Sequence, residues 1–204
     1  MAKEYNVAVV GATGLVGQEF LNLVLERGFP IKELRLLASN RSAGRRVTVG
    51  EWDLEVEETN SKSFAGVDIA FFSATTEVSK QIVPAAVKAG AVVIDDSSAW
   101  RMEPDVPLVV PEVNADDLEG HKGIISIPNC PTTPLVHTLW PLHTANPIKR
   151  VIVDTYQSVS GQGAKAVQEL TDQTRAVLDG NSATAHVFPH QIAFSLLPHV
   201  DVFL

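Results

Sequence analysis

Asn6-Val7-Ala8-Val9-Val10-Gly11-Ala12-Thr13-Gly14-Leu15-Val16-Gly17 is the stretch that decides the fold of this chain. A short apolar, β-branched run meets three glycines. Beyond them Phe20, Leu21, Val24 and Leu25 recur at helical spacing until Gly28 and Pro30 stop the pattern. Strand, glycine turn and helix, in that order, form the context in which a dinucleotide's pyrophosphate is held. The spacing is G-x-x-G-x-x-G rather than G-x-G-x-x-G, yet the physical demands are met. A small residue lets the backbone approach the phosphates, and the helix beyond offers unpaired N–H groups at its positive end. Gly11 to Gly17 is therefore a candidate cofactor turn, with Gly17 suited to close contact between helix and strand. The competing reading is a tight turn that binds nothing.

The next strand, about Glu33 to Ala38, ends in Ser39-Asn40-Arg41-Ser42-Ala43-Gly44. An NAD-binding fold usually carries a carboxylate near this point for the ribose 2′-hydroxyl. Here Ser39, Asn40 and Arg41 offer a hydroxyl, an amide and a guanidinium. Arg41 suits a 2′-phosphate, which a carboxylate repels, so NADP is favoured over NAD; the alternative is a solvated arginine in a turn. Gly50 to Phe64 is Glu-rich and irregularly alternating, which suggests an exposed hairpin. Val67 to Phe72 and Ala91 to Asp96 read as buried strands, separated by a helix over Glu77 to Lys88. Apolar strands alternating with helices imply an α/β fold, a mostly parallel sheet covered on both faces. Ligands bind beyond the carboxyl ends of such strands, which puts Gly11 to Gly17, Ser39 to Arg41, Ser73 to Thr75 and Asp96 to Arg101 on one rim.

Arg101 follows a loop of hydroxyls and small residues and is either an anion-binding cation or an ordinary surface arginine. Gly123 to Ile127 forms the strand that delivers the single cysteine, Cys130, in a Pro-Asn-Cys-Pro loop. Leu135 to Leu142 is helical in pattern, with Thr133 a possible cap. A thiolate ahead of a helix N-terminus is stabilised by the dipole. On the residues alone the sulfur is either an inert core side chain or a nucleophile. Lys149 to Tyr156 alternates like a strand with one wet face. Gln157 opens a polar glycine loop and is an amide able to donate to a carbonyl, or a surface glutamine. Ala164 to Leu178 reads as a helix amphipathic through Val167, Leu170, Thr174 and Leu178, and Ile192 to Leu197 and Val200 to Leu204 are apolar runs.

Composition sets outer limits. The 204 residues are 45% hydrophobic and 20% charged, as in a soluble globular protein. One cysteine excludes an internal disulfide. No apolar run approaches the roughly 20 residues of a membrane span, and the N-terminus lacks the pattern of a signal peptide, so a cytoplasmic protein is expected. A net charge of −8 without a basic cluster argues against nucleic-acid binding, and no metal-ligand spacing stands out.

The ordered set of motifs resembles aspartate-semialdehyde dehydrogenase of the bacterial type over essentially the whole chain. It comprises the Gly11–Gly17 turn, Leu37 to Gly44, Val109-Val110-Pro111-Glu112-Val113-Asn114, Pro128-Asn129-Cys130, Thr155 to Gly161, Ile192-Ala193-Phe194 and Pro198-His199-Val200-Asp201. The resemblance implies a Rossmann-like NADP-binding domain over residues 1–131 and a partial α+β catalytic and dimerisation domain over 132–204, in a homodimer. It implies Cys130 as the nucleophile that carries the acyl group as a thioester, with Asn129 and Gln157 positioning the carbonyl. It implies Arg101 on the phosphate side of the substrate, and Thr13, Gly14, Leu15, Val16, Arg41, Ser42, Ser160 and Gly161 on NADP. The implied reaction converts aspartyl phosphate to aspartate semialdehyde and phosphate, feeding lysine, methionine and threonine synthesis. Pro131, Gln162 and Ser195 depart from the usual pattern. An acid–base histidine and a carboxylate-binding arginine lie, in the family, beyond the equivalent of Leu204. The chain thus reads as a fragment with impaired activity, and none of its own histidines matches the missing base. Related acyl-phosphate or acyl-CoA reductases and a non-catalytic NADP-binding derivative are the alternatives; Asn129 speaks against N-acetyl-glutamyl-phosphate reductase, which typically has glycine there.

Overall fold

Strand β1 (Tyr5–Val10) lies inside a seven-stranded sheet, with β2 (Ile31–Ala38) parallel on one side and β5 (Ile69–Phe72) parallel on the other. The computed structural model describes residues 3–198, so His199, Val200 and Asp201 and the apolar run to Leu204 lie outside the described residues. β4 (Trp52–Glu58) pairs parallel to β2, β6 (Val92–Asp95) to β5 and β7 (Ile124–Ser126) to β6; β3 (Arg46–Val49) alone is antiparallel, against β4. The order is β3-β4-β2-β1-β5-β6-β7. Sequence neighbours β1 and β2 go one way and β5 the other, which makes the end of β1 a topological switch point.

The near-continuous apolar runs follow from coverage of both faces. Ala8 and Val10 pack with Val83 and Ala86 of α2 (Thr76–Lys88), whereas Val7 and Val9 pack with Leu21 of α1 (Leu15–Glu26). Complete burial of a side chain such as Val9 stabilises by about 1.5–3 kcal/mol. Phe20 of α1 stacks on Phe71 of β5 at 3.9 Å between ring centroids, which fastens α1 to its face of the sheet.

Several expectations need correction. The Glu-rich hairpin is β3–β4, turning at Gly50 and Glu51, and it begins earlier than read; β4 also extends the parallel sheet, so the segment is more than an exposed ribbon. No strand forms over Lys149 to Tyr156. Ile152 is 78% and Tyr156 83% exposed. Alternation supplies one apolar side, but a strand exists only with a ladder partner, and among the described residues none pairs with this run. Finally, beyond the one-turn helix α3 (Pro111–Asn114), Thr133 does not cap α4 (Thr132–Ala145): it sits inside the first turn, and Pro131 occupies the cap position.

The chain divides into two compact units, Met1–Asp154 and Thr155–Leu204, with α4 in the first. The second holds a 3-10 turn (Val159–Gln162) and α5 (Ala164–Leu178). The inward face of α5 is not the apolar one read from its sequence. Ala166, Glu169 and Gln173 are buried, while Leu178 is 73% exposed. The cause is a loop that needs donors satisfied. Glu169 accepts backbone N–H bonds from His186, Val187 and Phe188. One turn on, Gln173 accepts from Ile192 and Ala193 at 2.9 and 3.1 Å and donates to the Thr184 carbonyl at 3.0 Å. Burial alone raises a carboxyl's pKa, but the three N–H donors outweigh it and hold Glu169 below its ordinary value.

Candidate active site

All parallel strands end at one rim, and the glycine turn sits at its centre. Gly11 has φ +84°, and a Cβ there would lie 1.9 Å from the carbonyl oxygen of Ser73 at the end of β5. A Cβ on Gly17 would lie 2.2 Å from the Gly11 oxygen. Both obstacles are backbone, so neither can swing aside. α1 starts behind Gly14 with no side-chain cap and no acidic residue in its first turn. The N–H groups of Leu15, Val16 and Gly17 have no acceptor among the described residues. A bare backbone cradle, free donors and the positive helix end together fit a pyrophosphate. The Thr13 hydroxyl donates to the Ser42 hydroxyl at 3.3 Å, which ties the glycine turn to the loop after β2. There the Ser42 N–H donates to the Ser39 carbonyl at 2.8 Å and closes a 3-10 turn (Asn40–Ser42) that carries Arg41. Arg41 is exposed and makes no ion pair or hydrogen bond among the described residues, so its guanidinium is available to an anion.

Further along the rim, Arg101 donates from Nε to the Ile127 carbonyl at 3.0 Å and from one Nη to the Asp96 carbonyl at 2.6 Å. It is therefore pinned between the end of β6 and Ile127, just past β7 and three residues before Cys130. Cys130 is exposed in this chain. Its Sγ lies 3.9 Å from Asn129 Oδ1. The first turn of α4 offers fewer donors than a helix start normally does. The N–H groups of Thr132 and Thr133 both donate to the Asn129 carbonyl, at 2.9 and 3.3 Å, and Pro131 and Pro134 have none. The Cys130 N–H has no acceptor among the described residues.

Gln157, Ser160 and Gly161 belong to the second unit. Gln157 Nε2 donates to the Thr155 hydroxyl at 3.2 Å, the Ser158 and Ser160 hydroxyls share a bond of 2.6 Å, and the Gly161 backbone has open space around it. Among the histidines, His137 faces Glu112 at 3.6 Å and His143 accepts from the Ile148 N–H, while the His186 backbone is held by Glu169. Among the described residues no group of three or more His, Cys, Asp or Glu side chains could hold a metal ion, and no helix is long and apolar enough to cross a membrane.

The sequence reading put Asp95 and Asp96 at the end of the strand that is β6, with Asp96 on the rim, but gave neither a role. Asp95 is fully buried, and Asp96 is half-buried beside Ser73 and Arg101. Burial, reinforced by the Asp95 charge, pushes the Asp96 carboxyl up to about 6 against the lowering effects of the Ser73 hydroxyl and Arg101. A carboxyl raised on folding weakens the fold when ionised. The penalty is complete above pH 6 and is relieved as pH falls through 6 towards the ordinary 3.8. Asp96→Asn is expected to stabilise the protein by about 2–3 kcal/mol at pH 8 and hardly at all at pH 4. Urea midpoints at the two pH values test this, and an equal effect at both refutes it. The signal in the sequence was the pair of acids closing an apolar strand, where one acid on each face is unusual.

Residues 6–121 match the family model "Semialdehyde dehydrogenase, NAD binding domain", and residues 139–204 match "Semialdehyde dehydrogenase, dimerisation domain". The chain is 53% identical over 203 residues to the aspartate-semialdehyde dehydrogenase of Aquifex aeolicus, covering 98% of this chain and 60% of that protein. Identity to the Bacillus subtilis aspartate-semialdehyde dehydrogenase is 48% over 210 residues, with 100% and 61% covered. Among solved structures, Vibrio cholerae aspartate semialdehyde dehydrogenase II complexed with ASA superposes with a TM-score of 0.95 at 41% identity, covering 100% of this chain and 61% of that one. The Candida albicans aspartate semialdehyde dehydrogenase with NADP gives a TM-score of 0.61 at 32% identity, with 71% and 48% covered. The chain thus spans about 60% of the length of the curated relatives it matches.

Proposed function

Because the chain belongs to the semialdehyde dehydrogenase family, we propose that it carries the cofactor site and the nucleophile of an NADP-dependent aspartate-semialdehyde dehydrogenase. The protein acts in the cytoplasm, as a homodimer built through its second domain, on aspartyl 4-phosphate and aspartate 4-semialdehyde. Residues 1–131 form the NADP-binding domain and 132–204 contribute to the catalytic and dimerisation domain. The observation that carries this reading is the rim itself: a pinned guanidinium at Arg101 and an exposed thiol at Cys130 share one end of the sheet with the glycine cradle.

In the biosynthetic direction the Cys130 thiolate attacks the acyl phosphate carbon, the C–O bond to phosphate breaks, and a thioester forms with phosphate leaving. Arg101 holds the phosphate and stabilises its departing charge, because a guanidinium pairs with phosphate oxygens through two donors at once. Asn129 and Gln157 orient the carbonyl, and the Cys130 N–H is a free donor for the developing oxyanion. Gly11, Thr13, Gly14, Leu15, Val16 and Gly17 hold the pyrophosphate; Ser39, Arg41 and Ser42 hold the 2′-phosphate end of NADP; the resemblance also assigns Ser160 and Gly161 to the cofactor. When bound, NADPH supplies the hydride that reduces the acyl group. Sulfur suits the nucleophile because it attacks and leaves well and its ester is more readily reduced than a carboxylate.

Phosphate-dependent reduction of NADP by the purified protein, with aspartate semialdehyde as substrate, tests the reading. A rate with NADP that exceeds the rate with NAD supports it. Absence of dinucleotide binding in a direct titration, or a rate indifferent to phosphate, overturns it.

A further inference from the structure

Arg101 reaches the Cys130 loop because the turn before it is held in shape, and one buried carboxylate does the holding. Asp95 is fully buried at the end of β6. Its Oδ1 accepts from the Ser97 N–H at 2.9 Å and the Ser97 hydroxyl at 2.5 Å, and its Oδ2 accepts from the Ser79 hydroxyl of α2. The bonds continue outward. Ser97 Oγ accepts from the Ala99 N–H at 3.1 Å, and Ser79 Oγ accepts from the Trp100 indole N–H at 2.8 Å. Ser97, Ala99 and Trp100 are thus tied to Asp95 directly or through one hydroxyl, and Arg101 follows at once. A buried carboxylate is costly unless its bonds are made. Val93, two residues earlier on the same strand face, fills its place with an apolar side chain. At Asp95 a carboxyl group is kept instead, and its hydrogen bonds serve the Ser97–Trp100 turn.

We propose that Asp95 is a positioning residue for the anion site at Arg101: it fixes the Ser97–Trp100 turn so that the guanidinium is presented in one orientation to a phosphate or carboxylate. This rests on the reading of Arg101 as the anion-binding side chain. Asp95→Asn keeps the shape but turns one accepting atom into a donor, which either leaves the Ser97 N–H without its acceptor or forces the Ser79 hydroxyl to reverse its bond and find another acceptor. The turn loosens, while the glycine cradle on β1 keeps all its contacts.

The experiment titrates inorganic phosphate into the full chain, with NADP titrated in parallel. Arg101→Ala is expected to abolish phosphate binding, and Asp95→Asn to weaken it about tenfold, the scale on which misplacing a binding group is felt. The double variant is expected to be no weaker than Arg101→Ala, because the two residues act through one contact. NADP affinity is expected to stay at the parent value in Asp95→Asn. Parent-like phosphate affinity in Asp95→Asn, with Arg101→Ala defective, overturns the positioning role and leaves the reading of Arg101 intact. Phosphate binding that survives Arg101→Ala overturns both. Equal losses of phosphate and NADP affinity in Asp95→Asn make it a general scaffold residue and also overturn the role. Should Asp95→Asn fail to fold, Ser97→Ala removes the hydroxyl link and keeps the carboxylate. A loss of about threefold is expected for phosphate alone, and an unchanged affinity refutes the proposal.

Discussion

Gly11→Ala is expected to abolish the native fold of the first unit. Two costs coincide there. A residue with a side chain at φ +84° loses about 1–2 kcal/mol to local sterics. The new Cβ would also stand 1.9 Å from the Ser73 carbonyl oxygen, far inside contact distance. Relief requires the ends of β1 and β5 to part, where Val9, Val10, Phe71 and Phe72 are buried and the Ser73 N–H donates to the Val10 carbonyl at 2.9 Å. A loss above about 4 kcal/mol follows, comparable with the whole stability of many domains. Gly28→Ala is the control: φ is +59° there, but nothing lies within 4 Å of the added carbon. That variant is expected to lose only about 1–2 kcal/mol. Soluble yield and urea midpoints of the pair decide the matter. If both lose the same amount, the clash with Ser73 has no part in it.

Cys130→Ser is expected to lower the phosphate-dependent rate at least about 10³-fold while NADP affinity stays unchanged. Sulfur is intrinsically the better nucleophile, whereas a serine hydroxyl needs a base to become one. Near Cys130 the structure supplies an amide, Asn129, which cannot take a proton. The sulfur is exposed, so its loss leaves no cavity and costs the fold little. Steady-state rates, dinucleotide titration and a thermal melt on the same preparation separate chemistry from folding. A variant that keeps a tenth of the parent rate would show that the sulfur is not the nucleophile.

How much of this was legible in the chain follows from which interactions leave a pattern. β1, the glycine turn and α1 were readable because burial on both faces, a forbidden Cβ and a 3.6-residue period each write themselves into residue type. The same holds for β5, α2 and β6 and for the shared rim, since a parallel sheet admits only one carboxyl end. Partnerships were not readable. Lys149 to Tyr156 has the alternation of a strand and none of the pairing, while the Glu-rich β4 proved to be a working strand of the main sheet. The buried polar groups were also missed, because Glu169 and Gln173 look like the wet face of α5. Only the N–H groups of residues 186–188 and 192–193, distant in sequence, explain why that face turns inward. Asp95 and Asp96 differ in the same way: the strand ending in two acids was visible, but not which of them is enclosed. Of the candidate site, the glycine turn followed from local pattern, whereas Arg101 and Cys130 took on meaning from the family resemblance and from the carbonyls of Asp96 and Ile127 that hold the guanidinium.

The strand order has a consequence for how the protein is made. β1 is synthesised before both of its neighbours, and one of them, β5, ends only at Phe72. At a synthesis rate of roughly 5–20 residues per second, the apolar edge of Val7 to Val10 waits for several seconds beside β2 alone. Among the described residues the sheet carries short strands at its edges, β3 of four residues at one and β7 of three at the other. The interval of greatest aggregation risk therefore lies in synthesis, before the second neighbour of β1 exists.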